Sequence, residues 1–168
     1  LFHIGAMDWK PNIEGLLWFA EEVFPELGGI ELHLAGRKMP DWFSKSIDPT
    51  IHNHGEVIDA LAFIDQFPIM IVPLFSAGGM RVKIIEGMAM KKAVISTSVG
   101  AEGIKVTHGE NILIADTKEE FIKCVRDLTS NMEMMYRISE NGRKLVETEY
   151  DNKILTERLV RFYDDVLK

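Results

Sequence analysis

Apolar positions along this chain follow two alternating rhythms. Short runs rich in β-branched and aliphatic residues, at 1–6, 31–36, 51–57, 69–74, 93–97 and 111–115, predict six strands. Between the first two, Ile13, Leu16, Leu17, Ala20, Val23 and Phe24 recur at helical spacing, and Pro11 suits a first turn. Residues 41–46 predict a short helix before the third strand. Residues 60–67 predict another before the fourth, with Asp59 as its cap. The run Ile69-Met-Ile-Val72 has no polar break, as in a strand covered on both faces. Strands alternating with helices imply βαβ units with right-handed crossovers. The expected architecture is therefore α/β, a Rossmann-like parallel sheet of about six strands with helices on both faces.

After Asp116 only helical patterns remain. Thr117-Lys-Glu-Glu120 and Ser130-Asn-Met-Glu133 each match a capping box, so a helix is predicted from each, the second reaching Thr148. Asp151 caps a third, with Ile154, Leu155, Leu159, Phe162 and Val166 on its buried face, either here or against a partner domain. No repeat or low-complexity linker interrupts residues 1–168, which read as a single domain. The chain opens inside a strand and without Met, so it is expected to be one part of a longer protein, able to bind without catalysing.

Composition narrows the classes. The net charge of −7 argues against nonspecific nucleic-acid binding, which needs many cation–phosphate contacts. The apolar run at 67–75 is far too short to span a bilayer, and no basic-then-apolar signal segment opens the chain. The single cysteine, Cys124, excludes an internal disulfide and a cysteine zinc cluster. Its neighbours Phe121, Ile122, Val125 and Leu128 place it in packing, and a reducing cytoplasmic setting fits.

Open parallel sheets bind ligands at the carboxyl ends of their strands, here the loops at 5–10, 36–39, 57–59, 75–80 and 98–103. In the fourth of these, Gly78-Gly79 leads through Met80 into a predicted helix carrying Arg81 and Lys83. A helix N-terminus offers free N–H donors to an anion, and paired glycines let the backbone come close. Glu86, one turn on, can accept hydroxyl donors, so phosphate followed by hydroxyls is the layout of a nucleotide sugar. The competing reading is a solvated helix face with a Lys83–Glu86 pair. Glu102, in Val99-Gly-Ala-Glu-Gly103, is a second candidate or part of a plain surface turn.

Other motifs read as ordinary. His33, His52 and His54 are three imidazoles on neighbouring strands, but no carboxylate or cysteine joins them at useful sequence spacing, so no metal site is expected. No Gly-x-Ser-x-Gly elbow surrounds Ser76 or Ser98, and Gly-x-Gly-x-x-Gly does not follow the first strand. Met88, Met90, Met132, Met134 and Met135 at helical spacing are core candidates. Trp9 and Trp18 pack near the first loop, and Trp42 is a rim candidate.

The block 73–104 resembles the donor-binding half of GT-B fold glycosyltransferases, most closely glycosyltransferase family 4. It carries Glu86-Gly-Met-Ala89 and Val94-Ile-Ser-Thr97 where that family has its glutamate and Glu-Ala-Met-Ala-like run. Gly5-Ala-Met-Asp-Trp-Lys-Pro-Asn12 is similar to the family's first-strand loop, and His108-Gly-Glu-Asn111 to its glycine–asparagine loop. The resemblance implies a retaining transfer from a UDP- or GDP-linked sugar, with no metal or cofactor. In it Glu86 would bind the ribose and the backbone at Val57 would meet the base. Arg81 and Lys83 would face the diphosphate as the catalytic charges, with Gly5, Gly78, Gly79, Met80 and Lys10 beside them. It also implies a missing N-terminal domain, a saccharide or lipid-linked acceptor, and a cytoplasmic place at the inner membrane face. The chain departs from the family at Gly78, where a first glutamate is usual, and at Ala6, where an arginine is usual. Lys91 and Ala93 replace the usual Gly and Pro. A nucleotide-sugar epimerase of related architecture is the alternative enzyme. A receiver-like signalling module is the alternative outside enzymes, although Asp8 stands nearly alone at the strand ends.

Overall fold

The computed structural model describes residues 1–40, 48–76 and 78–167. The helix expected at 41–46, and Trp42 with it, lies outside them. Six strands form one sheet: β1 (Phe2–Ile4), β2 (Leu32–Ala35), β3 (Ile51–Asn53), β4 (Ile69–Val72), β5 (Ala93–Ser96) and β6 (Leu113–Ile114). Their spatial order is β3-β2-β1-β4-β5-β6, and each neighbouring pair is parallel. The chain steps outward from β1 to β3, then crosses back to β4 and steps outward the other way. That reversal between β1 and β4 opens a crevice at the strand carboxyl ends.

The six expected strands are all present and shorter than their apolar runs. β3 stops at Asn53 rather than near Val57 because the Asn53 side chain accepts from the Gly55 N–H at 2.9 Å and Gly55 takes φ +62°. Along β4, Ile69 and Ile71 enter one core while Met70 and Val72 enter the other. The first core holds Leu16, Phe19, Leu34, Ile95 and Phe121; the second holds Phe2, Ile84, Met88 and Val94. Helices thus cover both faces, which is why β4 tolerates no polar residue.

Helix α1 (Lys10–Trp18) continues through a π-helical turn (Phe19–Val23) and a 3-10 turn (Phe24–Leu27). It leans so closely on the exit of β4 that a Cβ on Gly15 would lie 1.6 Å from the Pro73 carbonyl oxygen. Helix α2 (Ala60–Asp65) is capped by Asp59, which accepts from the Ala62 N–H at 3.0 Å. Helix α3 (Val82–Ala89) follows the glycine turn, and α4 (Ser98–Ala101) is one turn capped by Thr97. Helix α5 (Lys118–Ser130) begins with the full Thr117–Glu120 capping box. Helix α6 (Met132–Glu149) begins one residue later than expected. Asn131 caps it, accepting from the Met134 N–H at 2.8 Å, while Ser130 closes α5 by donating to the Arg126 carbonyl. The extended backbone of Asn131 (φ −130°, ψ 90°) is what separates the two helices.

Helix α7 (Asn152–Val166) is capped by Asp151 as expected, but it has no buried residue. Leu155, Leu159, Phe162 and Val166 are exposed, so among the described residues the face expected to be buried finds no surface to cover it. Its first turns are tied down through Glu149, which meets Lys105 at 2.6 Å and Arg158 at 3.0 Å. Hydrogen bonds from Arg158, then from Lys105, hold that carboxyl down to about 2. Met88 is fully buried, Met90, Met134 and Met135 pack at the core margins, and Met132 is exposed. Cys124 is buried, and desolvation pushes its thiol up to about 11, which removes thiolate reactivity near neutral pH.

Candidate functional site

The crevice is floored by backbone. Gly5 N–H bonds the Ala35 carbonyl at 3.0 Å, and a Cβ on Gly36 would lie 1.7 Å from the Gly5 carbonyl oxygen. A Cβ on Gly5 itself would lie 2.6 Å from Lys83 Nζ and 2.7 Å from Asn12 Nδ2. Glycine at position 5 therefore makes the space that lets Lys83 reach from α3 across to the β1 loop.

Lys83 is held there by a short polar chain. Its ammonium donates to Asn12 Oδ1 at 2.8 Å, and Asn12 Nδ2 donates to the Ala6 carbonyl at 2.8 Å. His3, fully buried on β1, has Nδ1 2.8 Å from the Ile71 carbonyl. A carbonyl only accepts, so Nδ1 carries the proton and Nε2 is left as an acceptor, 3.4 Å from Lys83 Nζ. Burial, and then the Lys83 charge, push the His3 pKa well below its usual value, so the imidazole is neutral. Burial lowers Lys83 to about 8, partly countered by Glu86. Near neutral pH the ammonium is mostly charged and already oriented.

Arg81 occupies the N-cap of α3 in extended geometry, and no side chain caps that helix end. The arginine is only 5% exposed. Its Nη2 lies 3.5 Å from the Glu102 carbonyl and 3.8 Å from the Glu102 carboxylate, while Nε and Nη1 are buried without a hydrogen-bond partner. Buried donors of this kind are rarely left unmatched. Gly79 takes φ +76° in the turn just before, and Met80 is half exposed there. The two cations diverge: Lys83 points to the β1 loop, Arg81 to the loop after β5.

A cavity of about 460 Å³ lies beside Lys83, lined by Ile4, Gly5, Ala60, Leu61, Ile64, Lys83 and Glu86. Glu86 and Lys83 thus share one opening, as their spacing on α3 predicts. Val57 is half-buried against the second core, next to the fully exposed Ile58. Lys10 stands apart: its side chain is 85% exposed and pairs with Glu14 at 3.2 Å. Glu102 sits against Arg81 with its carboxylate largely in solvent. Asp8, in the loop after β1, is bound to Lys38 at 3.0 Å and lies 3.7 Å from Arg37.

Sequence reasoning missed His3 and Asn12. Asn12 carried a legible signal, a polar residue in phase with buried Leu16 and Phe19 on α1. His3 did not, because only the sheet order puts it beside β4. No carboxylate joins the strand histidines at useful sequence spacing, but the fold brings one to them in space. Glu31, just before β2, brings its carboxylate to His33 at 3.5 Å and to His52 at 3.6 Å.

The sheet order, with its reversal between β1 and β4, defines a doubly wound α/β domain, and Lys83 and Glu86 stand on the wall of its crevice. The sequence model of the family described as Glycosyl transferases group 1 matches residues 1–131, and the chain belongs to that family. Among curated relatives it is 27% identical over 164 residues to an uncharacterised 44.6 kDa protein in the cps region of Klebsiella pneumoniae, covering 89% of this chain and 42% of that one. It is also 27% identical over 131 residues to the capsular polysaccharide biosynthesis glycosyltransferase CapM of Staphylococcus aureus, covering 76% and 34%. This chain therefore spans less than half the length of either relative. Two solved structures share the fold. The C-terminal domain of the group 1 glycosyl transferase LpcC from Francisella tularensis superposes with a TM-score of 0.73 at 22% identity, over 90% of this chain and 86% of that one. Anabaena Alr3699/HepE, solved in complex with UDP-glucose, gives 0.76 at 12% identity, over 98% and 48%.

Proposed function

We propose that this chain is the donor-binding, C-terminal half of a two-domain GT-B glycosyltransferase. The whole enzyme transfers a sugar from a UDP- or GDP-linked donor to a saccharide or lipid-linked acceptor, with retention at the anomeric carbon. The observation that carries this reading is Arg81, a buried guanidinium with two unmatched nitrogens at an uncapped helix N-terminus. A planar fork of donors fits phosphate oxygens, and a buried charge of this kind needs an anion to offset its desolvation. Arg81 and Lys83 would stabilise the charge that gathers on the departing diphosphate, with no metal ion required. The chain Ala6–Asn12–Lys83 fixes the ammonium before the donor arrives, so little reorganisation accompanies the reaction.

Glu86, on the wall of the cavity, would accept the ribose hydroxyls, and Val57 with Ile58 and Leu61 would border the base. Gly5, Gly78, Gly79 and Met80 would present backbone close to the diphosphate. Glu102 keeps Arg81 oriented until a phosphate replaces its carboxylate. Lys10 would join only by leaving Glu14. The UDP-glucose complex of HepE and the capsular role of CapM support a nucleotide sugar and a polysaccharide product. Among the described residues no helix is long and apolar enough to cross a membrane. The proposed setting is the cytoplasm, at the inner membrane face.

Calorimetric titration with UDP, GDP and UDP-glucose tests the site. Arg81→Gln should weaken the best of them roughly 10- to 100-fold, the equivalent of one charge-assisted hydrogen-bond partner. No binding by any nucleotide, or equal binding by the variant, would remove the proposal. With the full-length protein, product NMR distinguishes a new glycosidic bond of retained configuration from an inverted one or an epimerised sugar. Transfer by the isolated chain would show that the second half is dispensable.

A further inference from the structure

A second polar cluster lies at the opposite end of the sheet from the crevice, where β2 and β3 begin. His33 and His52 are directly paired in register across these two strands. Their rings stack with centroids 4.6 Å apart. Glu31, one residue before β2, places one carboxylate oxygen 3.5 Å from His33 Nε2 and the other 3.6 Å from His52 Nε2. One donor atom from each of the three residues falls within 4.8 Å of the other two. Ligands on a tetrahedral ion with bonds of about 2.0 Å stand about 3.3 Å apart. The two carboxylate–imidazole separations are therefore close to ligand–ligand distances, and too long for good hydrogen bonds.

Two further observations point the same way. His52 Nε2 is shielded from solvent and has no hydrogen-bond partner, although it faces this cluster. His33 turns its other nitrogen, Nδ1, to His54 Nε2 at 3.0 Å. A metal-bound imidazole is normally held by such a bond at its second nitrogen, which fixes the ring and its tautomer. Phe67 stacks on His33 with centroids 4.2 Å apart and forms an apolar wall behind it. No motif spacing announces this site, because two of its ligands come from different strands.

We propose that Glu31, His33 and His52 bind a divalent transition-metal ion of the zinc class, with water completing a four-coordinate shell. Two imidazoles and one carboxylate are a favoured ligand set for that ion. The ion clips the edge strand β3 to β2. It stands away from Arg81, Lys83 and Glu86, so its role is to stabilise the edge whose far end leads to Val57. The proposal is independent of the donor-binding reading.

The test starts from protein stripped with a chelator and titrated with Zn2+ against a chromophoric competitor, with thermal melting in parallel. One equivalent should bind and raise the melting temperature, and Co2+ should give the visible bands of a four-coordinate ion. His52→Ala and Glu31→Gln should abolish stoichiometric binding, whereas His108→Ala should not change it. His54→Ala leaves the three ligands in place and should weaken binding about 10- to 100-fold by freeing the His33 ring. Absence of saturable binding, or binding unaltered by His52→Ala, would overturn the proposal and leave an ordinary histidine–glutamate network. UDP titration of the stripped protein should be unchanged, which keeps this outcome separate from that of the donor site.

Discussion

Lys83 shows how one residue's chemistry depends on partners far away in sequence. From the chain alone it is a cation near a helix start, read either as facing an anion or as pairing with Glu86 on a solvated face. In the fold, Asn12 and His3 hold it beside Gly5, and burial brings its pKa to about 8. The unfolded chain holds that proton up to the ordinary lysine value of about 10.5. Between about 8 and 10.5 the unfolded state therefore binds more protons, and this group makes stability rise with pH. Lys83→Met removes the contribution. Urea denaturation at several alkaline pH values should show the wild type gaining stability relative to the variant across that window. Parallel curves would mean that Lys83 is not desolvated. Arg81 is the complementary case: its position was legible from the glycine turn, its unmatched nitrogens were not.

Helix ends decide the elements. The box at Thr117–Glu120 and the caps at Asp59 and Asp151 form as their sequence spacing implies, because a cap needs only residues within one turn. The C-terminus of α3 is a compromise. Lys92 N–H bonds the Gly87 carbonyl at 3.0 Å and Lys91 N–H bonds that of Met88 at 3.0 Å, which puts Lys91 at φ +56°. This is the left-handed cap that glycine fills at least cost. Lys91 recovers part of the strain through Glu140 at 2.8 Å, and Arg143 adds a bond to the Ala89 carbonyl. An exposed ion pair contributes less than the strain costs. Lys91→Gly is therefore expected to stabilise the protein by about 0.5–1 kcal/mol, read as a higher urea midpoint at unchanged slope. A lower midpoint would show that the Glu140 contact outweighs the backbone.

For the whole molecule, α7 is the part that the other described residues do not explain. Leu155, Leu159, Phe162, Tyr163 and Val166 are apolar or aromatic and exposed along one helix that carries no buried residue. The chain covers 42% of its longer-matching relative, and the proposed N-terminal half is the natural cover for such a face. Leu159→Glu with Phe162→Glu should change the stability of this chain by less than about 0.5 kcal/mol, as for exposed sites generally. On the proposed function, the same pair in the full-length protein should lower the rate of sugar transfer and leave nucleotide binding by this domain unchanged. A large loss of stability in the isolated chain would instead place that face in its own core.

Taken alone, the sequence determined the α/β class, the six strands, most helix starts and the placing of Lys83 and Glu86 one turn apart on α3. These depend on periodicity and on residues within a few positions of one another, which pattern reading detects. Only the tertiary structure decided which distant residues meet. The sheet order set His3 and Asn12 around Lys83, register set His33 against His52, and the end of the packed body left α7 uncovered. The physical reason is that burial, pKa and ligand geometry are properties of neighbours in space, and a parallel sheet draws those neighbours from strands tens of residues apart.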